Sequence, residues 1–377
     1  MTAATPTCVP TAEPVRECWI VIGNHTSYAG IGEIIYTLYT YFSRRRRTRV
    51  SESLVPNQIN IIIDEFSTQE RVEYLRRIKK NYPKTRLILM ATEFATEISL
   101  LGFNFGNTFN FFDVRDDYRH LLSLLAYRLH LKARPPYLYA RCRGFVQALA
   151  VADLVLCAHP GVAQSMRLLP PDVMKLSSSL LTLYPEIDRD RLAKDRRLYR
   201  LPAGFVMTGT LTSFRQRVAS RMITTFQKAG VLTAFYQYVT FDQSCGPQFD
   251  GHEIDFGYDR IADAGRASWQ AQDVPRNYLY NLNPPQRLRW PYSSPMRILR
   301  AILLGQIPVV TRKFADHDIE RIALVWDGTI DTAEKMWIDA TMGRPELVER
   351  HLAAITSYNC VAHEKNAAID GALARLD

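Results

Sequence analysis

The stretch SSPMRILRAILLGQIPVVT, residues 293–311, decides the fold. It reads as a loop of small residues, a helix, a glycine stop and a buried strand. Ser293 and Ser294 have side-chain oxygens that can accept from the first free amides of the helix, and the fixed φ of Pro295 suits its first turn. Ile298, Leu299, Ile302 and Leu303 recur at the spacing of one helical face. Gly305 follows as the helix stop, and Ile307–Val310 is a short β-branched run broken only by Pro308. Unpaired amides at a serine-lined helix start favour anions, so Ser293 and Ser294, with Arg297 nearby, are an expected phosphate site.

Outside this stretch, apolar strands alternate with helical patterns, which predicts an α/β chain with parallel sheets. In the first half the strand candidates are residues 19–22, 59–63, 87–91 and 154–157. Helices are expected at 31–42, 68–81, 118–131 and 137–151, the second of them capped by Ser67 or Thr68 with Glu70 in its first turn. The pattern turns polar over DRDRLAKDRRLYRLP, residues 188–202, which reads as a connection between two domains. A second series follows, with strands at 205–208, 232–238, 307–310 and 324–326 and a helix at 214–229. Residues 243–288, rich in Asn, Gln, Asp, Gly and Pro, resist assignment, and 345–376 is mostly helical. The fold class expected is therefore α/β, with two Rossmann-like domains facing one another across a cleft. Ligands in such sheets bind at the carboxyl ends of the strands, so residues just after those strands are the site candidates.

With 377 residues, 47% hydrophobic and 23% charged, the chain is long enough for two domains and a substantial core. No uninterrupted apolar run reaches the roughly 18 residues of a transmembrane helix. Residues 1–17, rich in Thr, Ala and Pro, read as a disordered lead-in without the basic start and apolar core of a secretory signal. The six cysteines contain no Cys-x-x-Cys pair, which argues against a zinc site or disulfide framework and fits a cytoplasmic protein. A net charge of +9 attracts anions such as nucleotide sugars or anionic lipid. The densest cluster, Arg44 to Arg47 with Arg49, reads either as a solvated loop or as a peripheral membrane contact. Nucleic acid is not an expected partner, because no recognition motif accompanies the charge.

Residues 293–311 resemble the donor-site signature of GT-B glycosyltransferases, in which a Ser-Pro loop, a helix and G-x-P-V-V hold the nucleotide diphosphate of a sugar donor. Many members carry two glutamates eight residues apart around this loop; Tyr292 and Arg300 stand there instead. Helices ending similarly without both glutamates occur in exostosin-like relatives. The resemblance implies a GT-B-like fold with an acceptor domain at 18–200, a nucleotide-sugar domain at 201–345, and helices at 346–377 crossing back to the first. It also implies a nucleotide-sugar donor, a glycan, lipid or protein acceptor, and no cofactor beyond the donor itself.

Three further constellations supply the remaining candidates. GNHTSYAGIGE, residues 23–33, follows the first strand; its glycines, Gly30 among them, let a ligand approach the backbone, and His25, Tyr28 and Glu33 are polar groups beside it. It fails as a dinucleotide fingerprint for want of the third glycine. GFVMTGTLTSFRQRV, residues 204–218, is the second strand-loop-helix, with Gly209 and Thr210 in its loop. Thr210 stands where many GT-B enzymes place an arginine, while Arg215 and Arg217 follow on the helix. Fixed cations there would stabilise a departing diphosphate more than the bound donor, and Arg215 leads, ahead of Arg297. Asp64, Glu65, Glu93 and His159 follow strands and are acid or base candidates, with His159 before Pro160 and Gly161 favoured as a turn residue. No Asp-x-Asp motif appears, so no metal is expected. The catalytic candidates are thus His25, Glu93 and Arg215, for a metal-independent glycosyltransferase. The alternatives are a degenerate glycan- or nucleotide-binding module and a two-Rossmann sugar-nucleotide epimerase.

Overall fold

The computed structural model of the chain describes residues 16–23, 28–64, 66–92, 122–123, 125–134, 137–166, 180–195, 200–209, 213–230, 233–237, 278–285, 293–313 and 317–376. Two sheets organise them. The first contains β1 (Cys18–Ile22), β2 (Thr48–Ser51), β3 (Ile59–Ile63), β4 (Arg86–Ala91), β5 (Leu154–Cys157) and β6 (Leu180–Thr182), in the order β2-β1-β3-β4-β5-β6. The second contains β7 (Phe205–Gly209), β8 (Thr233–Gln237), β9 (Tyr280–Leu282), β10 (Ile307–Val310) and β11 (Leu324–Val325), in the order β11-β10-β9-β7-β8. Every pairing is parallel, with Cys18 opposite Ile59 and Phe205 opposite Tyr280. This is the α/β, Rossmann-like class the sequence predicts.

The strand runs explain themselves. β1, β3, β4 and β5 are covered on both faces, so they read as continuous apolar segments, INIII and LVLC among them. β2 (TRVS) and β6 (LLT) escaped the sequence reading because they are short edge strands; β2 alternates buried Thr48 and Val50 with half-buried Arg49 and Ser51. Pro308 is tolerated inside β10 because its missing N–H faces β11, which joins only from Val309 onward, while Ile307 donates to Leu279 on the β9 side at 2.7 Å.

Between the strands lie α1 (Tyr28–Ser43), α2 (Gln69–Asn81), α3 (Tyr137–Leu149), α4 (Pro160–Met166), α5 (Arg189–Asp195), α6 (Ser213–Lys228), α7 (Pro295–Leu303), α8 (Ile330–Thr341) and α9 (Arg344–Ala374). The polar stretch 188–202 contains a helix, α5. On α7, Ile298, Leu299, Ile302 and Leu303 are fully buried, and Gly305 closes the helix with φ 74°.

Apolar layers cover both faces of the first sheet, and a third core surrounds the second. Helix α9 ties them together: Leu347, Leu352 and Ile355 belong to the core of the second sheet, whereas Ile369 and Leu373 belong to that of the first. Polar contacts fix its register. Asn366, fully buried, donates to the Tyr184 carbonyl at 2.9 Å and accepts from the Tyr184 amide at 3.0 Å. Tyr358 donates to the Pro185 carbonyl at 2.7 Å. A second tie runs between α1 and α7, where Arg300 pairs with the buried Glu33 through Nε and Nη2, one edge of its guanidinium.

Four of the five clustered arginines are in ion pairs. Arg44 pairs with Glu186, Arg45 with Asp370, and Arg47 and Arg49 with Glu17. Arg45 also lies 3.9 Å over the Tyr41 ring. Among the described residues no helix is long and apolar enough to cross a membrane. The free cysteines Cys18 and Cys157 are buried and Cys360 is exposed.

Candidate functional site

Parallel strands that are neighbours end on the same side, so β7, β9 and β10 deliver their loops to one edge of the second sheet. From β7 the chain runs to α6, whose first turn carries Arg215; from β9 it runs to Ser293 and α7; from β10 it runs to His317 and Glu320. The strand order changes direction between β7 and β9, because β8 flanks β7 on the opposite side. That switch point opens a crevice between two helix starts, where backbone amides and helix dipoles favour a negative group.

The start of α7 differs from the expected cap. Ser294 occupies the cap position, yet no side-chain hydrogen bond caps the helix; instead the Ser294 carbonyl accepts from Arg297 and Ile298 at 3.1 and 3.2 Å. Ser293 is fully buried, and its amide donates to Glu320 Oε1 at 3.0 Å. Its hydroxyl has no hydrogen-bond partner among the described residues. A buried hydroxyl without a partner is costly, and that cost is removed when a ligand supplies the acceptor. Arg297 is half-buried on the same turn.

Arg215 is only 7% exposed, which separates it from Arg217, two positions on and exposed. Burial therefore sets Arg215 apart from an arginine on the exposed face of α6. Gly209 is the last residue of β7, paired with Gln237; Thr210 lies outside the described residues.

Sequence reasoning missed Glu320 and His317. Glu320, 2% exposed, sits in the 3-10 turn Asp318–Ile322 and holds the Ser293 amide. The rule that singled out Glu93, an acid directly after a buried strand, does not reach it, because β10 ends at Val310 and Glu320 lies in the later 3-10 turn. His317 packs between the two sheets, with its ring 5.2 Å from His159 and 4.8 Å from Tyr184. Its Nδ1 accepts from the Ile319 amide at 3.2 Å, just as His159 Nδ1 accepts from Gly161 at 2.9 Å. Burial pushes the His159 imidazole down to about 3; burial, then the neighbouring His159 and Lys365, pushes His317 well below the ordinary histidine value, against a pull from the Ala158 carbonyl. Both rings are neutral at pH 7, and His159 is the turn histidine its neighbours suggested.

The corresponding edge of the first sheet lies between β1 and β3. There Asp64 pairs with Arg71 at 2.7 Å and accepts from the Phe66 amide at 2.7 Å, so it closes a turn rather than awaiting a substrate. Gly23 is needed for that closure, since a Cβ at this position would overlap the Asp64 carboxylate and the Arg71 guanidinium. Glu33 is held by Arg300 and does not line an open site. Tyr28 and Gly30 fall in the first turn of α1. His25, Glu65 and Glu93 lie outside the described residues, as does the aromatic run 103–113. The other aromatic candidate, YLYNLN, is not a stacking platform: it contains the buried strand β9, and the Tyr280 hydroxyl donates to the Met336 carbonyl at 2.8 Å. Among the described residues no group of three or more metal-ligating side chains gathers.

No protein-family model matches the sequence, and no curated protein matches it either. Among solved structures, the chain is similar to an alpha-glucosyltransferase in complex with UDP and a 13-mer DNA, at 10% identity, covering 96% of this chain and 99% of that one with a TM-score of 0.46. It is also similar to a UDP-GlcNAc 2-epimerase from Neisseria meningitidis bound to UDP-GlcNAc, at 9% identity over 95% of this chain and 100% of that one, with a TM-score of 0.37.

Proposed function

We propose that the protein is a glycosyltransferase that moves a sugar from a nucleotide-sugar donor to a glycan, lipid or protein acceptor. The observation that carries this reading is the edge between β7 and β9, where β7 leads into α6 with its buried Arg215 and β9 leads to Ser293, whose buried hydroxyl has no hydrogen-bond partner among the described residues. A nucleoside diphosphate suits that edge: its oxygens accept from the Ser293 hydroxyl and from helix amides, and its charge is met by Arg215 and Arg297. As the bond from sugar to phosphate breaks, negative charge grows on the diphosphate. A cation already fixed by burial stabilises that charge without reorganising, so Arg215 acts mainly on the rate. Cations and amides thus fill the role that a metal ion fills in other transferases, and the reading includes a metal-independent reaction. On the acceptor side we assign the base to His25 or Glu93, which follow β1 and β4 in sequence.

Thermal melting with UDP, GDP and their sugars tests the donor site. Ligand at 100 times its dissociation constant adds about 2.7 kcal/mol of stability. No shift with any nucleoside diphosphate at millimolar concentration overturns the reading. Release of free nucleotide separates the classes: a transferase releases it with transfer of the sugar and does so in EDTA, an epimerase converts the donor while keeping the nucleotide attached, and a binding module does neither.

A further inference from the structure

In the segment 122–134, LSLLAYRLHLKAR, the described leucines Leu122, Leu125, Leu129 and Leu131 are exposed. Residues 122–123 and 125–128 are helical, and Leu122, Leu125 and Leu129 fall within one narrow stripe of that helix. They are 48%, 47% and 67% exposed, while Ser123, Ala126 and Tyr127 on the other side are the more covered residues. The amphipathic pattern is thus inverted relative to a helix that buries its apolar face in a core.

The end of this helix is well formed. Leu131 N–H donates to the Ala126 carbonyl at 2.8 Å and His130 N–H to the Tyr127 carbonyl at 3.0 Å, with His130 in the left-handed region at φ 58°. This pair of bonds is the Schellman closure, in which the residue after the left-handed one ordinarily folds its apolar side chain back onto the helix. Here that residue, Leu131, is 75% exposed. Four exposed leucines therefore sit on an ordered backbone. The same segment carries Arg128, Lys132 and Arg134 and no carboxylate, and Lys132 reaches back to the Ser123 hydroxyl at 3.1 Å.

We propose that residues 122–134 form a docking surface for an anionic lipid bilayer. Leucines on one helical face with flanking cations suit the interface plane, where the apolar side chains enter the acyl boundary and the basic groups stay at the head groups. Charge complementarity selects this occupant: exposed Lys132 and Arg134, in a segment with no acid, match an anionic surface, and each basic group near one strengthens binding about fivefold. The surface is independent of the donor-site reading, and it is distinct from the Arg44–Arg49 cluster, where Arg44, Arg45, Arg47 and Arg49 are held in ion pairs.

The test is cosedimentation of the full chain with vesicles of phosphatidylcholine alone and of phosphatidylcholine mixed with phosphatidylglycerol. Binding to the mixed vesicles is expected to exceed binding to the neutral ones by more than about tenfold and to weaken with salt. Leu125→Asp/Leu129→Asp should abolish it while leaving the melting temperature unchanged, because both side chains are exposed. Lys132→Glu/Arg134→Glu should weaken it without abolishing the remaining apolar insertion. Absence of vesicle binding by the unaltered chain overturns the proposal, as does full binding by the double aspartate variant. Light scattering provides the remaining arm: a dimer that the aspartate variant dissolves, in a chain that ignores vesicles, assigns the stripe to a second copy instead.

Discussion

The two sheets share one wiring and differ in what they do with it. Read from the strand beside the switch point, the first runs β2-β1-β3-β4-β5-β6 and the second runs β8-β7-β9-β10-β11, the same order with one strand fewer. Each reverses direction after its second strand, so each offers a crevice at its carboxyl edge. In the first, the described groups neutralise one another: Asp64 is paired with Arg71, packed tightly over Gly23. In the second, buried Arg215 stands in the first turn of α6 and half-buried Arg297 in the first turn of α7, while the Ser293 amide donates to Glu320. Topology supplies such an edge in each sheet; the second is the one proposed for the donor because arginines stand at both of its helix starts.

The largest effect expected lies where the two units meet. Glu33 and Arg300 have side chains only 4% and 15% exposed, so removing one leaves the other charge buried without its counter-charge. Arg300→Ala should lower unfolding stability by about 3–5 kcal/mol, measured by urea denaturation. The double variant Glu33→Leu/Arg300→Met should recover most of that loss. By contrast Lys335–Asp339, a helix-surface pair with Lys335 69% exposed, should contribute less than about 0.5 kcal/mol. Equal losses at the two pairs would erase the distinction between buried and exposed ties.

The next prediction sharpens the contrast between the two edges. Arg215→Ala should reduce turnover about a hundredfold, roughly 2.7 kcal/mol, with a much smaller change in donor affinity. Arg217→Ala, two residues away and exposed, should leave kcat within about twofold. Arg300→Ala is expected to act on stability rather than on turnover of the folded enzyme. If Arg217→Ala slowed the reaction and Arg215→Ala did not, the diphosphate would lie on the outer face of α6.

Acid should separate the second unit from an ordinary α/β core. His351 on α9 is buried at 4% exposure, has no hydrogen-bond partner on either nitrogen among the described residues, and is pushed down to about 4 by burial. His317, whose ring faces Tyr184 and His159, is lowered as well, and so is His159, by burial. An unfolded histidine takes up its proton near 6.5, whereas these folded ones do not, so the unfolded state binds more protons as pH falls. The stability they confer is complete above about pH 7 and declines from pH 6.5 toward 4, by up to ~1.4 kcal/mol per pH unit for each histidine. His351→Leu should flatten the decline by one histidine's share, and an unchanged profile would remove His351 from the account.

Much of the fold was legible because burial on both faces writes long apolar runs: 59–63, 154–157 and 307–310 coincide with the strands β3, β5 and β10. β9 was not legible, since three residues inside an Asn-rich stretch carry no period. Its Asn281 is buried only because Gln306 accepts from its side chain at 2.8 Å, a contact between residues far apart in sequence. The repeated wiring left no trace as a sequence repeat, because strand order is set by crossovers rather than by residue identity. At the site, Arg215, Ser293 and Arg297 could be found from spacing. Glu320 and the Glu33–Arg300 tie could not be placed, as their roles depend on which loops meet.

The smallest effect bears most directly on the second edge. Ser293→Ala removes a hydroxyl that is fully buried and makes no hydrogen bond among the described residues. In the free protein that hydroxyl contributes no bond and carries a desolvation cost, so the alanine variant should be as stable as the unaltered chain or slightly more so, within about 0.5 kcal/mol. The Ser293 amide still donates to Glu320, so the loop keeps its anchor. If the hydroxyl donates to a diphosphate oxygen, the variant loses a hydrogen bond to a charged group, worth about 1.5–3 kcal/mol, and nucleotide affinity should fall at least about tenfold. Ser294→Ala, whose side chain does not cap α7, should leave stability nearly unchanged as well, which makes the pair a clean comparison in calorimetric titration. Unchanged affinity in Ser293→Ala would move the phosphate away from the start of α7 and leave Arg215 and the start of α6 as its remaining contacts.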